Sequence, residues 1–118
     1  MVGIDLVEIE RVERAMTRRP GLRDRLFTEG ELAFAAAHRR PGRHLAARFA
    51  AKEATIKALG TSRVSPREVE VRGGGQEAPS LVLHGRAAQA AAEQDLELAV
   101  SLTHAGEIAA AVVVQRGP

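Results

Sequence analysis

One stretch in the middle of the chain, residues 48–60, constrains the fold more than any other. It reads Arg-Phe-Ala-Ala-Lys-Glu-Ala-Thr-Ile-Lys-Ala-Leu-Gly. Alanine, leucine, lysine and glutamate favour helix, and Gly60 is placed to end that helix as a C-terminal cap. The small apolar residues along it would let another backbone approach closely. The sequence therefore predicts a central helix against which other elements pack.

The charged residues of this helix fall on two neighbouring stripes. Glu53 precedes Lys57 by four residues, so the two share a face, and Arg48 and Lys52 lie together beside them. A carboxylate held beside cations could bind a divalent metal while the cations bind phosphate. The alternative is an amphipathic core helix with one surface ion pair, which contributes about 0.3–0.5 kcal/mol.

Composition limits the kind of core and the class of partner. A chain of 118 residues is enough for one domain with a single core, and we expect that domain to span 1–118. With three Phe and no Trp or Tyr, the core must be built from Ala, Val, Leu and Ile. A formal net charge of +2 fits an anionic small molecule or an acidic protein as partner, and only weakly suggests nucleic acid.

Cysteine usage and hydropathy bear on where the protein works. The chain has no Cys, which is compatible with the cytosol. It has no apolar run of membrane-spanning length, and Asp5 and Glu8 interrupt the apolar N-terminal stretch, which argues against a signal peptide. We therefore expect a cytoplasmic protein that does not associate with membranes.

Periodicity and turn residues predict a mixture of helices and strands, an α+β fold. Thr28 followed by Glu31 forms a capping-box pattern that opens one of the helices. The predicted helices are 8–18, 22–26, 28–38, 48–60 and 85–94. The predicted strands are 2–7, 68–72, 80–84, 96–103 and 107–115. The triple glycine at 73–75 lacks the flanking residues of a nucleotide-binding P-loop, so we interpret it as a flexible turn.

Asp5 lies in the middle of the first predicted strand, whose apolar residues on both sides indicate burial. A carboxylate in such a strand is costly unless it is paired, hydrogen-bonded or bound to metal. It could equally lie at the end of the strand and cap the following helix. The local sequence favours neither the ligand role nor the capping role over the other.

Two groups of arginines are candidates for contact with an anionic partner. One group follows a helical face and could dock an acidic helix, although a solvated face with a Glu10–Arg14 ion pair is the ordinary alternative. Its members are Arg11, Arg14 and Arg18. The other group surrounds a Pro-Gly turn and could form a phosphate-binding loop or simply an exposed one. Its members are Arg39, Arg40 and Arg43.

His104 is predicted at a strand end, where side chains emerge from a sheet into a cleft. It could bind a phosphate or move a proton there, although a lone turn histidine is more often an ordinary surface residue. Ser101, three residues earlier, raises the idea of a hydrolase. Because no nucleophile elbow accompanies it, that idea is not supported.

Three stretches together resemble the holo-acyl-carrier-protein synthase family of 4'-phosphopantetheinyl transferases. They are Gly-Ile-Asp-Leu-Val-Glu-Ile-Glu-Arg at 3–11, Arg-Phe-Ala-Ala-Lys-Glu-Ala at 48–54 followed by Lys57, and Ser-Leu-Thr-His at 101–104. Their order and spacing agree across essentially the whole chain. The resemblance implies the 4'-phosphopantetheinyl transferase fold, a small antiparallel sheet packed with helices. It also implies a homotrimer whose sites lie at the subunit interfaces.

The resemblance also implies an activity: transfer of 4'-phosphopantetheine from coenzyme A to a serine of apo-acyl carrier protein, with Mg²⁺ and release of 3',5'-ADP. Asp5 and Glu53 would hold the ion, and both would be catalytic together with Lys57, which would contact the pyrophosphate. The other residues implied for coenzyme A are Arg48, Pro79, Thr103 and His104. The residues implied for the acidic carrier protein are Arg11 and Arg14.

Two departures from the family pattern concern Glu77 and the N-terminus. Glu77 stands where the family has a glycine, two residues before Pro79, so we expect the contacts around that turn to differ. The family also has a few more residues ahead of the aspartate that corresponds to Asp5, so we expect either a shortened first strand or a misassigned start. Neither departure touches the two carboxylates.

Chemistry independent of the family supports the same reaction. Two protein carboxylates suffice for Mg²⁺, which otherwise keeps waters and substrate phosphates as ligands. A metal and cations would stabilise charge on the pyrophosphate oxygens, and a carboxylate-held water would take the serine proton, with a ligand carboxylate as the second choice. One alternative is a non-catalytic basic α+β module that binds an acidic protein or a nucleotide. A nucleic-acid binder ranks below it because stacking aromatics are almost absent.

Overall fold

The computed structural model describes residues 1–116. Within that range it has α-helices and antiparallel strands, which confirms the predicted α+β class. The helices are α1 (Ile9–Arg18), α2 (Leu22–Leu26), α3 (Glu29–Ala36), α4 (Pro41–Leu59) and α5 (Gly85–Glu93). The strands are β1 (Val2–Glu8), β2 (Val69–Gly74), β3 (Glu77–Leu83), β4 (Leu98–Ala105) and β5 (Ile108–Gln115), with a 3-10 turn at Pro66–Glu68. The last two residues of the predicted domain lie outside the described range.

Helix α4 contacts nearly every other element, as the Ala-rich pattern predicts, but it is longer than residues 48–60. It begins at Pro41, so the predicted loop is wrong from that residue and Arg43 is helical, whereas Arg39 and Arg40 lie outside the helix. Proline suits the first helical position, where its fixed φ is favourable and its missing N–H is not needed. At the other end Gly60 adopts φ 72° and closes the helix, as predicted.

Strand β1 crosses α4 at unusually short range, and Gly3 makes that approach possible. A Cβ atom added to Gly3 would lie 1.9 Å from the carbonyl oxygen of Ala54, which is a backbone atom and has no room to yield. Ala54 itself is fully buried. Because glycine lacks a Cβ, the strand lies directly on the helix backbone, and this contact fixes the position of Asp5 two residues later.

The strands form two antiparallel sheets. In the larger sheet the order is β1-β5-β4, with Asp5 opposite Ala111, and the smaller sheet pairs β2 with β3. The β4–β5 turn lies at Gly106 and Glu107, so β4 extends to Ala105 and His104 pairs with Ala109 inside the strand. His104 therefore lies near a strand end, as predicted, although the strand predicted to end at residue 103 continues to Ala105.

The glycine run is likewise only partly a turn. Gly73 and Gly74 belong to β2, where the pairing register shifts, and both have positive φ angles. The hairpin turn itself lies at Gly75 and Gln76. The positive φ angles explain why glycines occupy these positions.

The core is made mostly of small aliphatic side chains, as the composition predicts. Among the described residues, the largest fully buried apolar side chain is Phe27. Helix α4 supplies the alanines that line its interior contacts, which are Ala46, Ala47, Ala50, Ala51, Ala54 and Ala58. Across residues 1–116, no helix is both long enough and apolar enough to cross a membrane.

Candidate active site

Asp5 and Glu53 line the same cavity, which has a volume of about 510 Å³. Asp5 comes from β1 and Glu53 from the middle of α4, so the close β1–α4 contact brings together two residues far apart in sequence. The cavity wall beside them is apolar and includes Val12, Met16 and Phe49. The capping role considered for Asp5 is wrong, because Glu8 occupies the position before α1.

Asp5, Glu53 and Lys57 interact electrostatically at this cavity, which Glu8 and Arg11 also line. The Lys57 ammonium donates to Oδ1 of Asp5 at 3.0 Å and to the carbonyl oxygen of Ile4 at 3.1 Å. Burial raises the pKa of Glu53 above its usual value, and the nearby Asp5 carboxylate is the second cause of this rise. Lys57 opposes it. The predicted Glu53–Lys57 pair is wrong, since the strand backbone places Asp5 within reach of Lys57.

The donor set of this cavity fits Mg²⁺. Asp5 and Glu53 offer carboxylate oxygens, the ligands that Mg²⁺ prefers. Their mutual repulsion contributes to the raised pKa of Glu53, and a divalent cation would relieve it. Within residues 1–116 no group of three or more His, Cys, Asp or Glu side chains is placed to hold a metal. An ion here would therefore need water or substrate oxygens to complete its coordination.

A second cavity, of about 260 Å³, contains the other predicted ligand residues. They are Arg48, Pro79, Thr103 and His104. Arg48 is only 2% exposed, its guanidinium lies 3.9 Å from the centroid of the Phe34 ring, and it donates to the carbonyl oxygen of Gly73 at 2.6 Å. Its Nε has no hydrogen-bond partner among the described residues. Burial lowers the pKa of Arg48, so this cation would be stabilised by an anion entering the cavity.

The two cavities have no lining residue in common within the described chain. One chain therefore brings the predicted site residues together as two separate groups. The group with the two carboxylates includes Lys57 through its bond to Asp5, and the group with Arg48 lines the second cavity.

Lys52 is not available to bind phosphate. The prediction that the cations of the central helix bind phosphate is therefore wrong for this residue. Its side chain is completely buried. Nζ donates to Oε1 of Glu31 at 2.7 Å and to the carbonyl oxygens of Pro66 at 3.0 Å and Val69 at 2.5 Å. All three hydrogens of the ammonium are therefore used inside the protein.

Glu31 is a structural centre that the sequence revealed only in part. The capping box with Thr28 is present, and the Thr28 N–H donates to Oε1 of Glu31 at 2.9 Å. The other carboxylate oxygen accepts the backbone N–H of Val71 at 2.8 Å. One side chain thus caps α3, neutralises Lys52 and holds β2. Only the first of these roles has a local sequence signature.

Arg40 is committed to carboxylates and not to a phosphate-binding loop. It donates to both oxygens of Glu13 at 3.1 and 2.9 Å, and to both oxygens of Glu107 at 2.9 and 2.7 Å. These bonds raise the pKa of Arg40, and the bond to Arg40 lowers the pKa of Glu107. Arg40 therefore ties α1 to the β4–β5 turn at the start of α4.

The arginine row of α1 reaches the mouth of the first cavity. Arg11 lines that cavity, and Arg14 is exposed on the same helix. The predicted pair of Arg14 with Glu10 is present, with 3.8 Å between the nitrogen and oxygen atoms. Contact of this row with a carrier protein stays a prediction.

The sequence of the chain matches a known protein family. A family model described as the 4'-phosphopantetheinyl transferase superfamily matches residues 1–113. The holo-acyl-carrier-protein synthase of Moorella thermoacetica is 47% identical over 115 residues, covering 95% of this chain and 90% of the relative. That of Streptomyces coelicolor is 46% identical over 120 residues, covering 98% of this chain and 96% of the relative.

Solved structures agree with the sequence comparison. The crystal structure of holo-acyl-carrier-protein synthase from Neisseria meningitidis has a TM-score of 0.86 at 26% identity, covering 98% of this chain and 97% of the other. A complex of the synthase with coenzyme A from Chronobacterium ammoniagenes has a TM-score of 0.85 at 30% identity, covering 99% and 98%. The chain belongs to the 4'-phosphopantetheinyl transferase superfamily and, within it, to the holo-acyl-carrier-protein synthase family of enzymes.

Proposed function

We propose that this chain transfers 4'-phosphopantetheine from coenzyme A to a serine hydroxyl of an apo-acyl carrier protein and releases 3',5'-ADP. The observation that carries the proposal is the meeting of Asp5 and Glu53 in one cavity, with Lys57 bonded to Asp5. Relatives at 46% and 47% identity named for this activity support it, as does coenzyme A in a solved neighbour.

Asp5 and Glu53 are the residues that would hold Mg²⁺. Bound there, the ion would supply positive charge to the pyrophosphate oxygens, where negative charge develops during phosphoryl transfer. Lys57, which donates to Ile4 and Asp5 on the strand, would supply a second positive charge to the pyrophosphate. Met16 and other apolar side chains line the cavity beside the two carboxylates.

The acceptor serine must lose a proton during transfer. A water held by one of the two carboxylates is our first choice for the base, and direct transfer to a carboxylate is the second. Asp5 and Glu53 both line this cavity, so either carboxylate could hold that water. Arg11 and Arg14, at and near the mouth of this cavity, would receive the acidic carrier protein.

We further propose that the complete site is shared between adjacent subunits of a homotrimer. Arg48, Thr103 and His104 would bind the phosphates of coenzyme A, with Pro79 beside the adenine. The separation of the two cavities within one chain supports sharing. So does the outer face of the larger sheet, which is apolar and exposed at Val2, Ile4, Leu6, Ile108 and Val114.

A transfer assay tests the activity. Purified protein, coenzyme A, Mg²⁺ and an apo-acyl carrier protein are mixed and followed by mass spectrometry. We expect the carrier to gain one phosphopantetheine group with an equal amount of 3',5'-ADP, and we expect chelation of Mg²⁺ to stop the gain. A folded protein that binds the carrier without modifying it would instead support the non-catalytic module.

Subunit complementation tests the shared site. We expect the Glu53→Gln and Arg48→Met variants each to be nearly inactive alone. Random mixing of equal amounts would restore about a quarter of wild-type activity, because three quarters of the trimers are mixed and each contains one intact interface. No recovery, in mixtures that sedimentation proves to have exchanged subunits, would place the whole site in one chain.

A further inference from the structure

Two histidines that the proposed reaction does not use lie at the second cavity. His44 lines that cavity, and the centroid of its ring is 4.0 Å from that of His38. The Phe34 ring completes the cluster, with its centroid 4.6 Å from His38 and 5.7 Å from His44. His38 is anchored because its Nδ1 lies 2.7 Å from the carbonyl oxygen of Phe34. Phe34 on α3 thus holds the His38 imidazole in place, and His38 packs against the imidazole of His44.

Basic side chains face His44 from the elements around it. Those that disfavour its protonation are His38, Arg48, Arg43 and His104. Burial is the largest effect, and together with these groups it lowers the pKa of His44 below the usual value. Glu77 on β3 is the one carboxylate among the described residues that line the cavity. With the cavity free of ligand, His44 is therefore neutral at neutral pH.

We propose that His44, supported by His38, is a proton-coupled phosphate contact in the second cavity. On entry of a phosphate group, His44 takes up a proton and donates a charged hydrogen bond to a phosphate oxygen. The inference rests on the proposed function, because the ligand is the phosphate of coenzyme A or of its product 3',5'-ADP. It adds a contact, and a reason for pH dependence, that the transfer reaction itself does not require.

The neighbouring Arg48 gives independent reason to expect an anion in this cavity. It is 2% exposed, and its Nε has no hydrogen-bond partner among the described residues. A buried cation of this kind gains from a phosphate, which carries about −1.5 to −2 charges near neutral pH. The same phosphate reverses the electrostatic balance at His44, since a nearby anion favours the charged imidazole that the cations disfavour.

The sign of the pH dependence follows from this change. The pKa of His44 is low in the free protein and higher in the complex, so binding consumes a proton when the pH lies between the two values. Affinity for the phosphate ligand therefore rises as the pH falls. A charged hydrogen bond of this kind corresponds to about a tenfold change in affinity.

Isothermal titration calorimetry of 3',5'-ADP tests the inference, in pairs of buffers with different ionisation enthalpies. We expect the wild-type protein to take up protons on binding. His44→Phe keeps an aromatic ring in the stack, and we expect it to lose that uptake and to bind about tenfold more weakly near pH 6 but almost equally near pH 8. His84→Gln is the matched control, because His84 is bonded to Glu70 and does not line the cavity.

A second variant separates proton coupling from simple packing. Because the charge of His38 disfavours protonation of His44, His38→Gln is expected to move the proton uptake to higher pH. Equal proton uptake by wild-type protein and His44→Phe would overturn the inference. If the wild-type protein transfers phosphopantetheine and binds 3',5'-ADP with no pH dependence, only the role of His44 is wrong. If it neither binds nor transfers, the proposed function is wrong as well.

Discussion

Glu53→Gln is expected to slow phosphopantetheine transfer on the order of 10²–10³-fold, the loss typical of removing one preorganised electrostatic group. The substitution keeps the size of the side chain and removes its charge, so the proposed cation would lose one of its two protein ligands. Single-turnover transfer at saturating coenzyme A, followed by mass spectrometry, measures the change. Asp5→Asn should behave alike, because the two carboxylates line one cavity.

Stability should change in the opposite direction. Burial and the Asp5 carboxylate oppose ionisation of Glu53, so neutral glutamine relieves a repulsion when no metal is present. We expect Glu53→Gln to melt at a temperature equal to or higher than that of the wild-type protein in chelator. We also expect Mg²⁺ to raise the melting temperature of the wild-type protein only, since a ligand stabilises the state that binds it.

Glu93→Gln on α5 provides the control for this experiment, because Glu93 is exposed and remote from the two carboxylates. It should leave both transfer and melting unchanged. Normal transfer by both Glu53→Gln and Asp5→Asn would show that the metal assignment is wrong.

Lys52→Met is expected to destabilise the fold by about 3–5 kcal/mol, the usual cost of removing one member of a buried ion pair. Both side chains of the pair are 0% exposed, so the Glu31 carboxylate would remain charged in the interior without its cation. The carbonyl oxygens of Pro66 and Val69 would also lose a donor. Equilibrium unfolding in urea measures the loss.

Lys57→Met is the matched control on the same helix. The Lys57 side chain is 57% exposed, and such a surface pair contributes about 0–1 kcal/mol. The double variant Glu31→Gln with Lys52→Met should recover part of the stability, because the buried charge is removed while a polar acceptor remains for Thr28 or Val71. A cost for Lys52→Met no greater than that for Lys57→Met would contradict this account of the buried pair.

The central helix and its C-terminal cap were predictable because their signals are local. Composition and capping act within a few residues, and so does the Thr28–Glu31 box, which the structure contains. The start of α4 was missed because arginines around a Pro-Gly pair are as typical of a loop as of a first helical turn. Proline at the first position of α4 decides for helix.

The partners of the charged residues were less predictable. Helical spacing places Arg48 and Lys52 on one stripe, but it does not say which stripe faces the interior. Burial of Lys52 depends on Glu31, 21 residues away in sequence. The pairing of Lys57 depends on Asp5, 52 residues away. The resemblance pointed to Asp5 and Glu53 together, whereas spacing alone gave no reason to join them.

The contact between Gly3 and the carbonyl oxygen of Ala54 has a consequence for protein engineering. Replacing glycine by alanine is a standard route to thermostability, because it reduces the freedom of the unfolded chain. At Gly3 the added methyl group would push the strand off the helix, since the obstacle is main chain and no rotamer can relieve it. The spacing of Asp5 and Glu53 is thus set by a contact between two backbones. Substitutions among the apolar core side chains should therefore affect it little.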